Sequence, residues 1–174
     1  EVIQKIEETI SLLSSNGLTI SENNLINWPH NPLELFSVMW QAGAANLSRK
    51  LNKNDYQKLD PSFLSFIEKG RKYKMFDLMD VETKRAENAL HMKKVFGHFD
   101  AVIGPTLPVL PFDTNQNVPK GFSEDDLFSW LPFTYPFNLT KNPAATVNAN
   151  FSNSGLPIGL QIVTDIYKDK FKLD

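Results

Sequence analysis

The sequence predicts an α/β fold, and three observations predict it. An amphipathic segment over residues 2–15 runs into a β-prone segment at 18–20, which reads as the second half of a β-α-β unit. Helical periodicity then recurs through the middle of the chain, ahead of a short apolar strand at 100–106. The chain closes on two apolar strands, around residues 144–147 and 158–163, separated by a turn containing Gly155 and Pro157.

Each element has its own local cause. Val2, Ile3, Ile6, Ile10 and Leu13 share one face of the first helix, and Asn16-Gly17 supplies a left-handed stop. Pro32 suits a first helical position, and the stretch to about Leu47 is apolar almost all round, so it is expected to be deeply buried. Asp60-Pro61 opens a helix that ends near Gly70, with Asp60 as the cap. Residues 74–99 read as a long amphipathic helix with Phe76, Met79, Ala86, Leu90 and Val95 as core contacts, stopped by Gly97. Residues 107–121 form a Pro-rich loop, and Ser123, Glu124, Asp125 and Asp126 resemble the start of a short helix through Trp130. The segment 133–140 reads as a loop fixed by Pro136, and the charged segment 165–174 as the opening of another helix.

The composition narrows the function. A chain of 174 residues with 41% hydrophobic content can build one domain with a core. A net charge of -2 offers no basic field for nucleic acid and no polybasic patch for a membrane, and no apolar run is long enough to span one. With no cysteine, thiol catalysis and disulfides are excluded, and a reducing compartment, the cytoplasm, is the expected location. His30, His91 and His98 lack metal-site spacing and read as surface or helix-end residues. The acidic pairs Glu7-Glu8, Asp77 with Asp80, and Asp125-Asp126 read as solvated helix faces. No phosphate loop, dinucleotide fingerprint or nucleophile elbow is present. The residues therefore assign no catalytic group, metal or cofactor to this chain.

A series of motifs carries the positive signal. Arg85 on a helix precedes Asp100-Ala101-Val102-Ile103-Gly104-Pro105-Thr106, then Pro108. Phe133-Thr134, Asn138-Leu139, Pro143-Ala144-Ala145 and Gly155-Leu156-Pro157-Ile158-Gly159-Leu160-Gln161 follow in order. This series resembles the C-terminal part of amidase signature family hydrolases. The resemblance implies a mixed β-sheet covered by helices on both faces, with residues 1–174 forming the C-terminal portion of a single amidase domain, truncated at both ends. It also implies a Ser-Ser-Lys triad that this chain does not contain. The triad would lie upstream and form an acyl-enzyme with a carboxylic amide.

On that resemblance the present residues would form the substrate-side wall: Pro105, Thr106, Trp130, Leu131, Phe133 and Phe137. The implied partners are a small-molecule amide and the upstream half of the same polypeptide; a homodimer is compatible with it, and neither nucleic acid nor membrane is expected. Leu131 stands where the similar block of the glutamyl-tRNA amidotransferase has an Asp that can grip a substrate amino group. An ammonium left without that counter-ion loses on the order of 1–3 kcal/mol, so an apolar acyl or aryl amide is favoured. A catalytically inactive binding or assembly protein and the tRNA-dependent amidotransferase stay open as alternatives. Two departures are notable: Lys141 replaces a usual Gly, so that either a left-handed conformation strains it or Asn142-Pro143 shifts the turn, and Asn148 replaces a common Pro.

Overall fold

The computed structural model describes residues 1–22, 26–123 and 126–172. Among these, six helices and three strands follow in the order α1 (Val2–Ser15), α2 (Pro32–Ser48), α3 (Lys53–Tyr56), α4 (Pro61–Gly70), α5 (Met75–Val95), β1 (Ala101–Pro105), α6 (Tyr135–Thr140), β2 (Ala144–Phe151) and β3 (Pro157–Thr164). A 3-10 turn, Asp169–Lys172, comes last.

The cap expected at Asp60 is in place, and Asn31 caps α2 in the same way. Asn31 Oδ1 accepts from the Leu33 amide at 3.0 Å, and Asp60 Oδ1 from the Ser62 amide at 2.8 Å, each with Pro following as the first helical residue. Gly17 (φ +98°) turns the chain out of α1.

The strands form one antiparallel sheet in the order β1-β3-β2, with Ile103 opposite Ile162 and Thr146 opposite Gln161. Side chains alternate across β3, and this alternation divides the core. Ile158, Leu160 and Ile162 meet Val2, Ile6, Ile10 and Leu13 of α1 on one face. Val163 meets Met92, Val95 and Phe137 of α5 and α6 on the other. Helices thus cover both faces, as an α/β architecture requires. Two further clusters join α2 to α5 and α6 through Leu35, Phe36, Val81, Tyr135 and Leu139, and α2 to α4 through Ala44, Ala45, Phe66 and Ile67. The β2–β3 hairpin is closed by Gly155 (φ +80°) and by Ser152, whose amide donates to the Leu156 carbonyl at 2.8 Å. A register shift between Asn148 and Asn150 bends β2.

Several sequence expectations are corrected. Residues 18–20 form no strand: they follow the Gly17 turn as irregular backbone and pair with neither edge of the described sheet. Helix α2 is not enclosed all round: Trp40 and Leu47 are exposed. On α5, Phe76, Met79, Ala86 and Leu90 face outward, and the buried stripe is Val81, Asn88, Met92 and Val95. Only Val95 of the expected set is buried, because an uncharged polar residue, Asn88, occupies the inner face. The helix stops at Val95, just ahead of Gly97. Residues 127–130 form turns instead of a helix, while Glu124 and Asp125 lie outside the described residues. Residues 135–140 are the helix α6, not loop, since Pro136 occupies its first turn where no amide partner is needed.

Candidate functional site

The end of β1 and the bulged part of β2 flank Gly159 of β3, and this juxtaposition opens a cavity. Strand pairing continues past Pro105, with the Thr106 amide donating to the Gly159 carbonyl at 2.9 Å. Thr106 Oγ1 donates to Thr146 Oγ1 at 3.2 Å, directly above Gly159. A Cβ at Gly159 would lie 2.8 Å from both Thr106 Oγ1 and Thr146 Cγ2, so only glycine lets the two threonines approach.

Next to this pair lies a cavity of about 570 Å³, within the size range of small-molecule sites. Its wall includes Leu107, Leu110 and Phe112 of the Pro-rich loop, Ile158 of β3 and Trp130, and Asn148 adds a polar side chain. Trp130 stands edge-on to Phe112 with ring centroids 5.4 Å apart and an interplanar angle of 89°. Its buried Nε1–H has no hydrogen-bond partner among the described residues. The cavity is thus largely apolar, with the hydroxyls of Thr106 and Thr146 and the side chain of Asn148 as its polar groups.

The six residues expected at the site are separated by the fold. Thr106 and Trp130 share the cavity wall. Pro105 pairs with Leu160 as the last residue of β1 and does not line it. Leu131 packs on the cluster of Leu35, Phe36, Val81, Tyr135 and Leu139. Phe133 is partly exposed, and its carbonyl accepts from Gln161 Nε2 at 2.7 Å. Phe137 is buried beside Met92, Val95 and Val163, with Trp28 edge-on at 6.1 Å.

Polar struts hold these segments in place. Asn88, fully buried, bonds both the amide and the carbonyl of His30, while the His30 ring meets Glu87. Arg85 Nη1 donates to the Leu139 carbonyl at 3.1 Å, and the rest of its guanidinium holds Glu82. Thr140 Oγ1 donates to Asn142 Oδ1 at 2.6 Å, and Asn142 Nδ2 donates to the Thr164 carbonyl at 2.9 Å. Burial pushes the phenols of Tyr73 and Tyr135 above the usual tyrosine value, so both stay neutral. Among the described residues no group of three or more acidic or histidine side chains could hold a metal ion. No described helix is long and apolar enough to cross a membrane.

Sequence reasoning missed the loop 107–112, Thr146, Asn148 and the strut Asn88. One signal was available: an isolated glycine inside an apolar strand marks a close approach, and Gly159 is that residue.

Similarities to known proteins bear on this geometry. The sequence model of the Amidase family matches residues 1–173. An acylamidase of Rhodococcus erythropolis is 26% identical over 178 residues, covering 99% of this chain and 37% of the acylamidase. A glutamyl-tRNA(Gln) amidotransferase polypeptide of Alkaliphilus metalliredigens (strain QYMF) is 36% identical over 80 residues, 45% of this chain and 15% of that protein. Among solved structures, a 6-aminohexanoate cyclic dimer hydrolase superposes with a TM-score of 0.84 at 17% identity, covering 99% of this chain and 39% of the hydrolase. The chain therefore spans well under half the length of these relatives.

Proposed function

The chain belongs to the Amidase family, and we propose that the protein containing it hydrolyses an apolar acyl or aryl amide to a carboxylic acid and ammonia or an amine. The family match across residues 1–173 carries this reading. The similar acylamidase, matched over 99% of the chain, supports the acyl-amide class.

In the proposed reaction a serine hydroxyl attacks the amide carbonyl, and the tetrahedral oxyanion collapses by breaking the C–N bond. The leaving nitrogen takes the proton. Water then cleaves the acyl ester, releasing acid and regenerating the serine. The serine and its Ser and Lys partners would lie upstream of Glu1, so these residues alone would be inactive. Their contribution would be the acyl wall: the apolar cavity at Thr106 and Trp130 suits a neutral hydrocarbon or aryl body.

The proposed partner for the rest of the surface is the upstream half of the same polypeptide. Met75, Phe76, Met79 and Leu90 of α5 are exposed, and such large apolar side chains on one helix favour a covering surface. The absence of cysteine suits the cytoplasm as location.

The test is to label the full-length protein with a serine-reactive fluorophosphonate and map the modified residue by mass spectrometry. A label upstream of Glu1, blocked by an aryl acylamide, is the expected result. No label would favour an inactive binding protein, and a label within residues 1–174 would place the active site elsewhere than proposed.

A further inference from the structure

We propose that the basic ridge formed by the end of α2, α3 and the turn from α4 to α5 is a docking surface for an anionic phospholipid membrane. Residues 49–74 carry eight lysine and arginine side chains against three carboxylates, a net charge of +5 in a chain whose total is -2. The total conceals this division, since the remaining residues sum to -7. A basic ridge on an otherwise acidic chain favours one orientation at a negative surface.

The fold gathers these charges. Arg49 follows the last turn of α2, and Lys53 and Lys58 lie on either side of Tyr56 in the chain, at α3. Arg71, just past α4, stands over the Tyr56 ring at 5.3 Å, and Tyr56 packs on the cluster of Ala44, Ala45, Phe66 and Ile67. Helices α3 and α4 are therefore pinned together, and Lys72 and Lys74 continue the ridge to the start of α5. The three carboxylates are engaged within it: Asp55 meets Lys58 at 3.8 Å, Glu68 meets Arg71 at 2.9 Å, and Asp60 caps α4. Lysine and arginine almost never leave water unless paired, so a further segment packed here must leave the charges at the surface or bring matching carboxylates.

Helix energetics do not account for the ridge. The helix dipole favours Arg49, Lys69 and Arg71, which stand at helix C-termini. It disfavours Lys74, the N-cap of the 21-residue helix α5, a position where Ser, Thr, Asp or Asn would serve better. The cap there comes instead from Asp77, whose carboxylate accepts from the Lys74 amide at 2.7 Å. The residue types favour lipid over nucleic acid. Six of the eight are lysines, point charges on flexible stems that suit a diffuse negative field and not a planar, bidentate contact. The ring of Tyr56, which could stack on a base, already has a face held by Arg71.

The test is co-sedimentation of the full-length protein with phosphatidylcholine vesicles that contain phosphatidylserine, with phosphatidylcholine alone as the control and a random-sequence RNA as competitor. Binding should require phosphatidylserine and fall as salt rises. Lys53→Gln, Lys72→Gln and Lys74→Gln should each weaken it about fivefold, and arginine at the same positions should retain it. Lys74→Ser should weaken binding while raising the Tm, so its lost binding would not reflect unfolding. No binding to the phosphatidylserine vesicles, equal binding to phosphatidylcholine alone, or unchanged binding by the combined glutamine variant would each overturn the proposal. Release of the protein from vesicles by RNA would overturn it in favour of a nucleic-acid surface. The measurement needs neither an amide substrate nor a serine label, so this inference and the amide-hydrolase reading fail separately.

Discussion

The side-chain amide of Gln161 donates to the main-chain carbonyl of Phe133 at 2.7 Å, joining the central strand of the sheet to the segment that carries Trp130 and Leu131. Gln161 is 6% exposed, so the bond forms away from water. Replacing it by Leu strands a carbonyl, which costs about 1–3 kcal/mol. We expect Gln161→Leu to lower the midpoint of chemical denaturation by that amount and to raise KM for an acyl amide. An unchanged midpoint would show that water replaces the glutamine.

Helices α2 and α4 touch backbone to backbone at Gly70, where an added Cβ would lie 1.9 Å from the Gln41 carbonyl oxygen. Backbone cannot swing aside as a side chain can. Gly70→Ala should therefore destabilise by about 3 kcal/mol, the upper end for an overpacked site. Calorimetry of the variant checks this, and a loss under about 1 kcal/mol would mean that the helices part easily.

Asn88 replaces a strand partner for His30, giving its Oδ1 to the amide at 3.0 Å and its Nδ2 to the carbonyl at 2.9 Å. Asn88→Ala removes both bonds at a fully buried position and should cost about 2–4 kcal/mol. Hydrogen exchange should report the damage first at the His30 amide, ahead of global unfolding.

Trp130 tests the proposed acyl wall directly. Its Nε1 has no partner among the described residues, so Trp130→Phe removes a donor that the fold does not use. The smaller ring leaves space in the wall, so stability should fall by about 1–3 kcal/mol, while KM rises for acyl amides that fill the cavity. Equal KM values for wild type and variant would remove Trp130 from the acyl wall.

Asp165 follows β3, and the hydrogen bond from Lys93 holds its carboxyl below the ordinary value of 3.8. A depressed folded-state pKa contributes stability above the unfolded value and loses it as pH falls through the folded one. The contribution is therefore present at neutral pH and disappears below pH 3.8. Asp165→Asn should lower stability at pH 7 and make the acid limb of the stability curve shallower. Parallel acid limbs for the two proteins would exclude the pair as a stabilising contact.

The elements readable from sequence are those whose causes are local. Asp60-Pro61 caps a helix, Gly17 and Gly155 take positive φ, and the strands at 101–105 and 157–164 follow from short apolar runs bounded by Gly and Pro. The ordered motifs from Arg85 to Gln161 were also enough for the family, because several short matches in series are far more specific than one. Of the six residues expected at a pocket wall, Thr106 and Trp130 line one cavity, while Leu131 and Phe137 fall into apolar clusters that use the same residue types. Sequence alone does not separate a pocket wall from a core.

What the sequence determined by itself, then, is the helix boundaries set by caps, the apolar strands and the family. Tertiary structure decided which faces are inside. Helix α5 carries apolar residues on more than one side, and the buried side is the one with Asn88, whose amide satisfies the His30 backbone away from water. It also decided that Lys141 would take a left-handed conformation, since the chain must turn there for Asn142 to reach the Thr164 carbonyl. Burial and turn geometry are relations between segments distant in sequence, and local propensity carries no information about them.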